Sequence, residues 1–131
     1  MNNPNNNGNT SAKVLKLVKG AGQPWAGSKI TSSIPFDFTN STTITAKVWS
    51  PRAGLKLLMK FEDATPWPNT AATSEITATT TLANQWETLT FNFSGLNKAV
   101  QWKNLVLIMD NGTQGDGSSN YTIYLDDITL N

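Results

Sequence analysis

The chain carries five tryptophans and neither histidine nor cysteine. That pairing decides which chemistry is open to it. Without histidine there is no imidazole base, no Ser-His-Asp relay and no zinc site built on imidazole. Without cysteine there is no thiolate nucleophile, thiolate metal site or disulfide. Carboxylates, lysines and a single arginine, Arg52, remain. Acid–base work by two carboxyls needs both on one side of the backbone. The adjacent pairs Glu62–Asp63 and Asp126–Asp127 lie in strand-like stretches, where neighbouring side chains diverge. The residue types favour binding over catalysis, and the chain reads as not an enzyme.

Each tryptophan is either a stacking surface or a piece of core, and its neighbours bear on which. Trp25 sits in GAGQPWAG and Trp67 in ATPWPNT. Proline flanks both rings and stiffens the backbone that presents them. Trp102, in AVQWKN, suits display or packing. Trp49 alternates with Lys47 and Thr45, and Trp86 opens a strand after LANQ.

Positioning these residues falls to strands. From Ser11 onward apolar residues recur at every second position, and no helical period emerges. Eight strands are expected, over 11–19, 29–33, 42–50, 55–63, 73–80, 86–93, 103–110 and 121–130. Turn-rich segments such as PRAG and NGTQGDGSSN separate them. Short strands at this spacing, with no helices between, indicate an all-β antiparallel sandwich or barrel. Alternation sends Leu55, Leu57, Met59 and Phe61 inward, and Lys56, Lys60 and Glu62 outward. Ile44, Ala46 and Val48 share one face, as do Leu89, Phe91 and Phe93. Residues 1–10, MNNPNNNGNT, are expected to be a polar linker, a frayed terminus or an ordered polar loop. Residues 11–131 are expected to form one domain.

Ten basic and nine acidic side chains leave a net charge of +1 over 131 residues. So balanced a chain offers no basic field for nucleic acid or an anionic membrane surface, so neither is expected as a partner. No apolar run approaches the roughly 18 residues of a membrane helix. The chain is expected to belong to a larger multidomain polypeptide.

Four stretches carry a family resemblance: NTSAKVLKLVKGAGQPWAG, ITAKVWSPRAGLKLLMKFED, TATTTLANQWETLTFNFSGLN and YLDDITL. From Asn9 to Asn131 the chain resembles jelly-roll carbohydrate-binding modules, laminarinase-associated ones among them. Such modules are attached to polysaccharide-degrading enzymes and surface glycan-binding proteins of Bacteroidetes-type bacteria. The resemblance implies a β-sandwich of jelly-roll type and a non-catalytic module that binds a polysaccharide or oligosaccharide, with laminarin-type β-glucan favoured. It also implies an exported bacterial protein, extracellular or at the cell surface. These modules usually begin with a further strand carrying an acidic motif upstream of NTSAK, so an unfilled sheet edge is expected. The E-x-D-x-x-E pattern of jelly-roll glucanases is absent. A structural or adhesive sandwich without a glycan site is the alternative, and a jelly-roll glycosidase a more remote one.

Sugar recognition needs an aromatic face for the C–H side of a pyranose and a few polar groups for its hydroxyls. The resemblance places the cleft tryptophan at Trp25, with Trp67 and Trp102 as further candidates. Lys60 and Glu62 are polar candidates on the outward face of their strand. Asp110 ends LVLIMD, where the resemblance implies an acceptor for hydroxyls and local chemistry allows an Asx turn into Asn111-Gly112. Glu75 and Lys19 are additional candidates. The resemblance also implies a structural Ca2+ bound by Asp127. Calcium takes six to eight oxygens, and carbonyls of the Asn-rich start are available to it. Pairing of the aspartate with a lysine or with backbone N–H groups is the alternative.

Overall fold

The computed structural model describes residues 2–65 and 72–131. Among them lie eight strands: β1 Leu15–Val18, β2 Ser28–Thr31, β3 Thr43–Ser50, β4 Lys56–Asp63, β5 Thr73–Thr79, β6 Gln85–Asn92, β7 Trp102–Met109 and β8 Thr122–Leu130. The strands form two four-stranded sheets, β1-β8-β3-β6 and β2-β7-β4-β5, with antiparallel pairing throughout. This order is that of a jelly roll, in which two Greek keys close into a sandwich. The expected all-β sandwich is therefore the fold.

Period-two alternation builds the core as the sequence indicated. Leu57, Met59 and Phe61 of β4 are buried against Ile44, Ala46 and Val48 of β3 and Leu89 and Phe91 of β6. Phe61 sits centrally and meets Phe36, Phe38 and Phe93 edge to face, with centroids 5.4, 5.0 and 5.0 Å away. Such pairs add about 0.5–1.5 kcal/mol each beyond the area they bury.

Residues 2–9 form an ordered loop. The Asn3 amide donates to the carbonyls of Asn9 at 2.7 Å and Ser11 at 2.8 Å. The Trp86 indole N–H donates to Asn5 O at 2.6 Å and Asn3 Oδ1 at 3.1 Å. The loop is thus hydrogen-bonded to the sandwich through Trp86. It lies over Trp86, leaving that ring 7% exposed on an outer sheet face.

Candidate functional site

Strand register assembles polar side chains on the outer face of the β2-β7-β4-β5 sheet. Lys29, Val106, Lys60 and Glu75 form one row across its four strands. Thr31, Asn104, Glu62 and Thr73 form the next. On the other side of the first row, Ile108 pairs with Leu58, and both are buried. The result is a groove of about 390 Å³ with Val106 and Ile108 on its floor. Lys29, Lys60, Glu62 and Glu75 bring charge to it, and Trp25 and Asn111 line it from the flanking loops.

The electrostatics are balanced. The Glu62 carboxylate lies between two ammonium groups, 3.4 Å from Lys29 Nζ and 3.3 Å from Lys60 Nζ. Its side chain is only 7% exposed, so the two cations offset the cost of burying it. Two lysines and two glutamates leave these lining side chains without net charge. Such a surface supplies charge-assisted donors and acceptors without a field that would select a charged ligand.

Trp25 is 63% exposed, and two features hold its loop against the sheet. A Cβ at Gly27 would stand 2.6 Å from both Ile108 Cγ1 and Leu107 O, so only glycine allows the loop to lie this close. Behind the loop, Lys19 is buried, and its ammonium donates to three backbone carbonyls: Pro24 O at 2.6 Å, Met109 O at 2.7 Å and Asp110 O at 2.9 Å. Pro24 O also accepts the Gly112 N–H at 3.1 Å. Lys19 thus ties the residue before Trp25 to the turn that carries Asn111. Desolvation lowers its pKa below that of free lysine, and the nearby Asp110 carboxylate acts in the opposite sense.

The structure brings Trp25, Lys60, Glu62 and Glu75 together at one groove. Trp67 lies outside the described residues. Trp102 is in the core, 2% exposed, with its indole N–H donating to Asn97 O at 2.9 Å. A ring so enclosed shows no face to a ligand, so the display expected of Trp102 is corrected to packing. Asp110 is engaged elsewhere: its carboxylate bonds to the Arg52 guanidinium and accepts the Lys56 N–H at 2.9 Å. It pins the 51–54 turn to the end of β7 and does not line the groove. Lys19 likewise acts from behind the groove. Lys29 and Asn111 are groove residues that the sequence reading did not select.

Asp127 is exposed, and its carboxylate lies 3.2 Å from Lys47 Nζ. Asp126 turns the other way and accepts the Asn9 amide at 3.1 Å. A calcium ion needs a converging shell of oxygens, but here an ammonium faces Asp127. Among the described residues no three acidic, histidine or cysteine side chains converge. Of the two uses expected of Asp127, the structure shows the pairing with a lysine. Hydrogen bonds, led by that with Ser11 and joined by that with Asn9, hold the Asp126 carboxyl below the ordinary aspartate range.

Comparison with protein-family models and with curated proteins finds no match to this chain.

Proposed function

We propose that the chain is a non-catalytic carbohydrate-binding module whose groove beside Trp25 takes a neutral polysaccharide. A laminarin-type β-glucan is the favoured ligand, on the sequence resemblance. The module would work outside the cell and hold an attached enzyme or surface protein on its polymer.

One observation carries this reading. An indole 63% exposed stands at a groove whose floor is apolar and whose lining charges cancel. An indole face removes the C–H side of a pyranose from water, and lysine and glutamate heads bond its hydroxyls. A few such contacts give roughly 4–7 kcal/mol net, or a Kd of about 10–1000 µM, and tethering to further modules strengthens retention.

Affinity electrophoresis against laminarin, lichenan, xylan and mannan tests it. Retardation of the wild type by at least one polymer, weakened in Trp25→Ala, is the expected result. Unimpeded migration in all four would leave a structural or adhesive sandwich as the better reading.

A further inference from the structure

The opposite outer face carries a second row of aromatic groups, and again strand register builds it. Lys16 pairs with Tyr124, Tyr124 with Trp49, and Trp49 with Trp86. One cationic and three aromatic side chains therefore cross the β1-β8-β3-β6 sheet side by side. The N-terminal loop covers Trp86. Trp49 and Tyr124 are only partly covered and meet edge to face, with centroids 5.6 Å apart.

These two rings line a groove of about 430 Å³. Pro4 and Pro51 flank it, and Asn84, Ser119 and Thr122 supply polar atoms. Among the described residues Lys16 is its single charged one. The Trp49 indole N–H is buried with no hydrogen-bond partner among the described residues. That N–H is closed off, so the groove meets the ring rather than its donor. Large aromatic side chains on the outer face of a sandwich add nothing to the core between the sheets. A row of them beside hydroxyl and amide groups has the makings of a ligand surface.

We infer that this groove is a second glycan-binding site, taking a neutral pyranose segment on Trp49 and Tyr124. The inference rests on the same stacking chemistry as the first site but on different residues. Because the two grooves lie on the outer faces of opposed sheets, two separate polymer chains can be held at once. The module then cross-links polysaccharide.

The test uses the whole chain with laminarin, and lichenan, xylan and mannan in parallel, reading retention in affinity gels and turbidity of the mixture. Trp25→Ala disables the first groove. Tyr124→Ala disables the second, and Ser119→Arg obstructs it from an exposed position that leaves the packed rings untouched. Circular dichroism confirms that each variant folds. The wild type is expected to raise turbidity. Each single variant is expected to bind roughly tenfold more weakly to polymer with retention still measurable, as loss of one of two linked contacts requires, and to leave the mixture clear. Trp25→Ala combined with Tyr124→Ala is expected to show no retention. Complete loss of retention in Trp25→Ala alone overturns the second site and leaves the first. Wild-type retention and turbidity in both Tyr124→Ala and Ser119→Arg also overturn it. Retention lost in the second-groove variants but untouched in Trp25→Ala would keep this site and remove the first. Absence of wild-type retention by all four polymers removes both.

Discussion

The two outer faces present aromatic groups by different means. On the β1-β8-β3-β6 sheet, Trp49 and Tyr124 project from strands, and the ladder that fixes their register fixes their place. On the β2-β7-β4-β5 sheet, Trp25 comes from a loop, and its position depends on Lys19 behind it and on the close approach at Gly27. A strand-borne ring is as stable as the sheet. A loop-borne ring can be released by changes at residues that never meet the ligand.

The largest contrast is between Trp25 and Trp102. Trp102→Ala empties a packed site and is expected to lower stability by about 3–5 kcal/mol in denaturant unfolding. Trp25→Ala is expected to move stability by no more than about 0.5 kcal/mol, as surface changes do. It should still remove roughly 1–3 kcal/mol of polysaccharide affinity, by analogy with bases stacked on aromatic side chains. Equal unfolding free energies for the two variants would break the contrast.

Lys19→Met sharpens the loop side of the comparison. It keeps the side-chain length but leaves three carbonyls without their shared donor. Stability should fall by about 1–3 kcal/mol. Hydrogen exchange of the Gly112 amide should accelerate, and retention at the Trp25 groove should weaken while the strand-borne face is unaffected. Unchanged exchange at Gly112 would show that the loop holds itself.

Glu62→Gln should have a smaller effect on stability, about 1 kcal/mol, because Lys29 and Lys60 are partly exposed and water screens them. It converts a neutral lining into a cationic one. Binding of an acidic polymer such as alginate should rise at low salt and fade at high salt. No gain would mean that the charge balance does not govern ligand choice.

Asp126 gives the smallest expected effect and a pH signature. Its folded-state pKa is lowered, so the unfolded chain binds the proton more tightly. The stability it contributes is present above the ordinary aspartate value of about 4 and is lost as the pH falls below it. Asp126→Asn should lower stability slightly at neutral pH and flatten the acid limb of a stability–pH curve. An identical acid limb in the variant would contradict the shift.

The inner faces were legible because alternation and burial coincide: Leu55, Leu57, Met59 and Phe61 read inward and are inward. Trp102 was not. Glu62 pairs with Asn104 and Asp63 with Trp102, so one extra residue in β7 breaks the alternation and turns Trp102 into the core. Period two cannot announce such a bulge. A similar shift lies between Thr45 and Lys47 of β3 where they meet β8, and Asp127 beside it has a φ of 47°. Lys19 did leave a signal, since it shares parity with buried Leu17. A lysine at an inward position is easily dismissed unless converging carbonyls are foreseen. Asp110 was lost to Arg52, a partner 58 residues away that no local pattern reveals.

The central claim is that an exposed Trp25 meets sugar. The five indole N–H signals in a nitrogen–proton correlation spectrum test it most directly, during titration with laminarin and then the other three polymers. The Trp25 signal is predicted to move progressively with at least one polymer while that of Trp102 stays fixed. A Trp25 signal unmoved by any of them would contradict the account.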